Sequence, residues 1–361
     1  MHPILRCAAL AALALPQVLA AQTQVFMISP KDAATQGNTN NNIPYSWYTT
    51  RYQQIYDAGS FDVGTPTALN AVYYRMASGF GTGNYGGHTI ELAVDMSMAA
   101  SGISATSPSS TFANNLDTTT TKQVIAKTKL VMPKLSTYNW DIKLPFDSAT
   151  TFLYGGLLNK NLVIETRVYN SSAITTYPLD AWALYGTSTQ TGSYAGCKSS
   201  NASGSTVQHY SIINYLVVGN QNNYHYGYAY VPSIPAVMSL GGTALNLPLP
   251  GTTCYIANDL LLLVPGSTDT SSNGRFQVNL PIPNDSTLGG ITYMTQMYFF
   301  DANANSLGIT STKSLSNTIA KIPAGSVTRL YATDSTGTAD PGTFATASIG
   351  TNYGLVTRLG N

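Results

Sequence analysis

Apolar and polar residues alternate one by one along several stretches of this chain, and this period of two restricts its fold more than any other feature. The segments at 90–96 (IELAVDM), 161–169 (NLVIETRVY) and 275–283 (RFQVNLPIP) all show it. Side chains of a strand point alternately to its two faces, so this pattern predicts strands with one buried face. After residue 21, no window of about 12 residues has the 3.6-residue period of an amphipathic helix. The sequence therefore predicts an all-β protein.

Two further segments are apolar at nearly every position. They lie at 254–264 (CYIANDLLLLV) and 291–300 (ITYMTQMYFF). A strand that is apolar on both faces is typical of the middle of a covered sheet. We therefore expect both segments to be central strands.

Charge is scarce, which excludes several classes of partner. Charged residues make up 9% of the chain, the formal net charge is +1, and the only glutamates are Glu91 and Glu165. Binding to nucleic acid or to an anionic membrane surface needs clustered lysine and arginine. The chain has no such cluster, so neither partner is expected.

The first 21 residues have the three parts of a secretory signal peptide. Arg6 precedes an apolar run, and small residues surround Ala20 and Ala21, where we expect cleavage. A retained anchor is the alternative, but the run is shorter than the roughly 20 residues that span a bilayer. No second apolar run of about 18 residues follows, so we expect no membrane insertion after cleavage. The mature protein is predicted to be secreted or displayed on the cell surface.

Composition and spacing divide the mature chain into three parts. We predict an N-terminal β-sandwich at 22–190, a C-terminal β-sandwich at 191–325 and a short hairpin at 326–361, where the letters VTRL occur twice. The sandwiches are expected to be of the jelly-roll or immunoglobulin-like type, because short strands are separated by turn clusters. The polar, glycine-bearing segment at 187–196 is the expected linker.

Two cysteines remain once the signal peptide is removed. They are Cys197 and Cys254. An even pair in an exported chain predicts one disulfide. The loop that it would close corresponds to about 4 kcal/mol of stabilisation by the chain-entropy relation.

Several longer segments carry a family resemblance. In the C-terminal part they are GCKSSNASG from 196, LPIPNDSTLGG from 280 and MTQMYFFDANANSLGITSTKSLSN from 294; in the N-terminal part they are RYQQIYDAGSF from 51, SSTFANN from 109 and LVIETRVYN from 162. With these segments the chain resembles a largely uncharacterised family of secreted bacterial proteins with two β domains. The resemblance implies a bacterial, extracellular protein and implies no particular reaction. The segment at 207–235 is richer in tyrosine than the family pattern.

The segment YHYGYAY contains the best candidate binding surface. It places Tyr224, Tyr226, Tyr228 and Tyr230 on one strand face, about 6.6 Å apart. A row of rings can hold a sugar chain or a partner protein. A tyrosine-rich strand packed against its neighbours is the alternative, because tyrosine favours strands.

The segment DANAN has the spacing of the first half of a calcium loop. Asp301, Asn303 and Asn305 would be ligands at positions 1, 3 and 5. Ser306 replaces the expected glycine and Thr312 replaces the expected glutamate, which favours a polar hairpin in which Asp301 bonds the backbone of its own turn. Calcium is the only cofactor that the sequence suggests.

No catalytic motif is present: HExxH, GxSxG and GxxxxGK[ST] are all missing. Glu91 and Asp95 share a strand face about 13 Å apart, too far for the two carboxyls of a glycosidase, while pairs across strands stay open. We therefore predict a structural or adhesive protein that contacts an extracellular glycan or surface protein without catalysis. The alternative is an extracellular hydrolase acting on polysaccharide or peptide.

Overall fold

A computed structural model describes residues 26–29, 36–46, 48–61, 66–78, 85–155, 160–173, 175–192, 196–201, 203–321 and 326–360. Within these ranges the protein consists of 26 strands and five 3-10 helices of three or four residues. The all-β prediction is confirmed. No helix in these ranges has the length and hydropathy needed to cross a bilayer. The predicted signal peptide and its cleavage site lie outside the described residues.

Eleven strands precede residue 184. They are β1 Phe26–Ser29, β2 Thr39–Asn41, β3 Thr49–Tyr56, β4 Thr67–Leu69, β5 Ala71–Tyr74, β6 His88–Met98, β7 Lys122–Met132, β8 Ile142–Pro145, β9 Phe152–Tyr154, β10 Leu162–Ser171 and β11 Leu179–Ala183.

Eleven more strands follow between residues 187 and 318. They are β12 Thr187–Thr191, β13 Gln208–Ser211, β14 Tyr224–Tyr228, β15 Pro235–Gly241, β16 Ala244–Pro248, β17 Tyr255–Asn258, β18 Leu262–Ser267, β19 Arg275–Asn279, β20 Thr292–Phe299, β21 Thr310–Ser311 and β22 Ser314–Thr318.

The last four strands complete the chain. They are β23 Val327–Asp334, β24 Ser348–Gly350, β25 Tyr353–Leu355 and β26 Thr357–Gly360. The 3-10 helices are Ala58–Ser60, Phe112–Asn115, Ile213–Tyr215, Ser286–Leu288 and Pro341–Thr343.

The two ends of the chain build one unit, which we call the first block (residues 26–183 and 327–360). One sheet has the order β1-β26-β5-β8, and a nine-stranded sheet has the order β2-β11-β25-β23-β3-β10-β6-β7 with β24 on β23. Strands from both ends of the chain therefore alternate within the same sheets. A single large apolar cluster joins them, in which Val327, Leu355 and Leu359 are fully buried beside residues from the N-terminal half.

The predicted separate tail therefore needs correction. It does contain an antiparallel pair, β23 with β24. However, β23 also pairs along its whole length with β3, from Val327 opposite Tyr56 to Asp334 opposite Thr49. The first VTRL copy lies in β23 and the last three residues of the second copy lie in β26, in a different sheet. Turn signals identify only local hairpins, so a pairing across more than two hundred residues leaves no local mark in the sequence.

The second block (residues 187–320) is inserted between β11 and β23. Its larger sheet has the order β12-β22-β20-β15-β18 with β21 on β20, and its smaller sheet has the order β13-β14-β19. The expected linker is partly a strand, because Thr187 to Thr191 of β12 pair with Thr318 to Ser314 of β22. The first and last strands of the block are thus neighbours. This arrangement lets an inserted unit leave its host at nearly the same place where it entered.

The core of the second block lies between its two sheets and is small. Phe276 and Val278 of the smaller sheet pack with Met238, Met297 and Phe299 of the larger one. The sheets approach closely at Gly227, where an added Cβ would lie 2.3 Å from the sulfur of Met297. The approach explains why a residue without a side chain stands there.

The prediction of a central strand is wrong for one of the two apolar segments. The segment at 291–300 forms β20 between β15 and β22, as expected. The run from Leu260 to Leu263 instead lies at the sheet edge in β18 and just before it, with 47 to 73% of each side chain exposed. Composition alone does not distinguish an apolar edge from an apolar centre, because both are runs without polar residues.

Candidate functional site

The tyrosines of YHYGYAY follow the predicted alternation up to the end of β14. Tyr224, Tyr226 and Tyr228 are half-buried, whereas His225 and Gly227 between them are buried. The three rings therefore point outward from the smaller sheet of the second block.

The neighbouring strands extend this surface. Tyr210 of β13 stands opposite Tyr226, and Arg275, Gln277 and Asn279 of β19 stand opposite the three tyrosines of β14. We call this outward side the tyrosine face; it comprises Gln208, Tyr210, Tyr224, Tyr226, Tyr228, Arg275, Gln277 and Asn279. The alternation of RFQVN predicted that its polar residues would share one face. That this strand pairs with YHYGY is visible only in the structure.

The rings of the tyrosine face touch one another. Tyr210 and Tyr228 meet edge to face with centroids 5.9 Å apart, and the rings of Tyr224 and Tyr226 are 6.1 Å apart. The guanidinium of Arg275 lies 5.7 Å from the centre of the Tyr226 ring. The result is a nearly continuous aromatic surface bordered by one cation and by amide groups. Such a surface offers both apolar area and hydrogen-bonding groups.

Tyr230 departs from the predicted row. It lies beyond the end of β14 in the left-handed region, with φ of 58°. Partial burial raises the pKa of its hydroxyl, and Tyr210 and Tyr228 add to this effect. Tyr230 therefore borders the tyrosine face without continuing the strand.

The DANAN segment forms a turn whose polar groups are used internally. Asp301 is buried, and its carboxylate accepts hydrogen bonds from the Ser200 amide and hydroxyl (2.8 and 2.7 Å) and from the Asn303 amide (3.3 Å). Asn305 donates to the Ile309 carbonyl at 2.7 Å and accepts from the Leu307 amide at 3.0 Å. The described residues contain no group of three or more histidine, cysteine, aspartate or glutamate side chains placed to hold a metal. The calcium site stays a prediction to which this geometry lends no support.

The predicted disulfide is present. Cys197 and Cys254 are bonded and buried. The bond joins the loop before β13 to the start of β17, and the amide of Ser311 donates to the Cys197 sulfur at 3.1 Å. Asp301 holds Ser200 close by. Three distant segments are thus fixed together at one end of the second block.

A pair of carboxyls across strands, which the sequence left open, exists in the first block. Glu165 of β10 is directly opposite Asp95 of β6. Arg51 pairs with Glu165 at 3.0 Å, Arg167 pairs with Asp95, and Gln53 donates to Glu165 at 2.6 Å. Burial raises the pKa of Asp95 more than the positive charge of Arg167 lowers it.

Loops cover this carboxyl pair. The Phe112 carbonyl accepts from Gln53 at 3.0 Å, and the Phe344 carbonyl accepts from Arg51 at 2.9 Å. Glu165 itself is only 2% exposed. Carboxylates that are neutralised by arginine and covered by loops serve as buried ion pairs, and this arrangement does not favour the hydrolase alternative.

Comparison with known proteins adds no identification, because no family model, curated protein or solved structure matches the chain. The resemblance to secreted bacterial two-domain proteins stays a prediction.

Proposed function

We propose that the protein is an exported, non-catalytic binding protein that attaches to extracellular glycan through its tyrosine face. The observation that supports this most strongly is the outward row of Tyr224, Tyr226 and Tyr228 beside Tyr210. Aromatic rings stack on the apolar faces of sugar rings, and the amides of Gln277 and Asn279 can bond sugar hydroxyls. Export is supported by the signal-peptide pattern of residues 1–21 and by the disulfide.

A neutral glycan suits this surface better than a charged partner. The tyrosine face carries one charged side chain, Arg275, which also lies 3.7 Å from Asp269. Recognition of an anionic polymer would need several cations in a row. Neutral polysaccharide is therefore the ligand class that we propose, and a surface protein is the alternative partner.

The test is binding of the purified mature protein to an array of polysaccharides. The double variant Tyr226→Ala, Tyr228→Ala should bind about tenfold or more weakly, because each ring contact contributes about 0.5–1.5 kcal/mol. Tyr138→Ala is the matched control, since Tyr138 is an exposed tyrosine of the first block (37%). Thermal unfolding checks that the fold is intact. If the wild type and both variants bound equally well, the tyrosine face would not be the binding surface.

A parallel panel of polysaccharide and peptide substrates tests the hydrolase alternative. Turnover that disappears in Asp95→Asn would support catalysis at the covered carboxyl pair and overturn the non-catalytic proposal. We expect no turnover.

A further inference from the structure

Two histidines lie inside the second block directly behind the tyrosine face. His209 of β13 and His225 of β14 are 2% and 0% exposed, and their ring centroids are 5.7 Å apart. Both side chains point between the two sheets of the block. The two imidazoles do not belong to the outward tyrosine face, and an apolar core needs no polar rings at this place.

Three of the four ring nitrogens of this pair have no hydrogen-bond partner among the residues that the structure describes. Within the described residues, both nitrogens of His209 and Nδ1 of His225 have no hydrogen bond, and only Nε2 of His225 has one, to the Tyr293 hydroxyl at 3.2 Å. Buried polar atoms almost always have partners, and leaving one unsatisfied costs about 1–3 kcal/mol. Burial lowers the pKa of both histidines, that of His225 to about 3, so both rings are neutral. Neutral imidazole is the form that binds metals.

A thioether lies over Gly227, on the face of the smaller sheet that carries the two rings. Gly227 stands directly opposite His209 and two residues after His225. The Met297 sulfur fills the space at Gly227, since it lies 2.3 Å from the position that a glycine Cβ would take. Two nitrogen donors and one sulfur donor therefore lie at adjacent positions on the inner face of the smaller sheet.

We propose that His209, His225 and Met297 form a binding site for a soft monovalent metal ion, with Cu(I) as the physiological ion. Imidazole and thioether donors together select Cu(I) among the common transition metals. A metal binds an imidazole nitrogen at about 2.0–2.1 Å, which allows the centres of two such rings to lie at most about 6 Å apart. The observed 5.7 Å fits this limit. Zn(II) would place a double positive charge between the sheets without an anionic ligand to neutralise it, and this disfavours zinc.

The residues around the site support a role in metal binding. Tyr293 holds His225 by Nε2, and Asn223 donates to the Tyr293 hydroxyl at 3.0 Å. Hydrogen bonds of this kind orient metal-binding histidines and fix the nitrogen that faces the ion. Tyr293 and Asn223 also line an apolar groove of about 240 Å³ that Leu240, Leu280 and Ile282 border. The groove therefore reaches Tyr293, the residue that bonds His225.

The experiment titrates Ag(I), a redox-inert substitute for Cu(I), into the purified mature protein with its disulfide intact. Thermal unfolding and calorimetry follow binding, and anaerobic Cu(I) is then tested by X-ray absorption. We expect one ion per chain, a raised unfolding temperature of the second block, and nitrogen and sulfur neighbours in the absorption spectrum. Zn(II) should bind at least tenfold more weakly.

Met297→Leu is the decisive variant because it removes the sulfur and keeps the apolar volume. It should weaken binding at least tenfold. Met294→Leu is its matched control: Met294 is also buried (5%) on β20, but points to the opposite face of the sheet. Equal affinity of the two variants, the absence of any stabilisation by Ag(I), or Zn(II) binding as strong as that of Ag(I) would overturn the proposal. His225→Gln should also lose binding, and an unfolded His225→Gln protein would leave the comparison of the methionine variants decisive.

Discussion

The two blocks bury their polar groups in different ways. The first block places its buried charges in ion pairs, such as Arg75 with Asp180 at 2.7 Å, around one large apolar cluster. The second block has a smaller apolar cluster, a disulfide, the buried Asp301 that bonds Ser200, and two buried histidines with three ring nitrogens unpartnered among the described residues. A paired charge is committed to structure, whereas an unpartnered neutral donor is available for a ligand. The pair of buried histidines with unpartnered nitrogens therefore directs the search for function to the second block.

The largest effect is expected from breaking a buried ion pair in the first block. Asp180→Ala leaves the Arg75 guanidinium and the Gly37 amide without their shared acceptor. Removing one partner of a buried pair destabilises by about 3–5 kcal/mol. Denaturant unfolding of the full chain should show this loss in the transition of the first block.

Asp285→Ala is the control for this prediction. Asp285 is an exposed aspartate of the second block that caps Ser286–Leu288 by accepting from the Thr287 amide. Loss of such an exposed cap costs less than removal of one partner of a buried ion pair. Comparable losses in the two variants would show that the buried pair is not the main stabilising element that we infer.

The disulfide should matter almost as much, but only for the second block. The double variant Cys197→Ser, Cys254→Ser opens a loop with a sequence separation of 57 residues, for which the chain-entropy relation gives about 4 kcal/mol as an upper value. Calorimetry should show a lower unfolding temperature for the second block and an unchanged one for the first. A shift of both transitions together would mean that the blocks unfold as one unit.

The smallest expected effect is a loss of stability of the first block at acidic pH. His88 is buried, its Nε2 lies 2.8 Å from the Tyr45 carbonyl, and burial lowers its pKa. Because the folded state then binds the proton less tightly than the unfolded chain, stability is full above about pH 6.5 and declines below it, by at most about 1.4 kcal/mol per pH unit. His88→Gln should flatten this decline for the first block between pH 6.5 and 5. An identical pH profile in the variant would contradict the assignment.

Local patterns in the sequence predicted much of the fold. The alternation in RFQVN correctly predicted a strand with one buried face, which contains Phe276 and Val278. In IELAVDM it predicted the strand and the buried Ile90, but the prediction of a single buried face is wrong, because Ala93 and Asp95 on the other face are also buried. The disulfide followed from the count of cysteines. The sites depended on long-range pairing instead. Nothing near Asp301 indicates that it bonds Ser200, and nothing near His209 indicates that His225 and Met297 lie beside it.

The insertion of the second block has a consequence for the order in which the chain can fold during synthesis. β3 emerges early from the ribosome, yet its partner β23 follows only after the whole second block, as the sequence separation of 269 between Asp57 and its partner Ser326 illustrates. Until then one side of β3 is an open edge, and open edges promote aggregation. The second block must therefore fold within a host that is still incomplete. A chaperone that shields the early strands would be of most value to this protein during that interval.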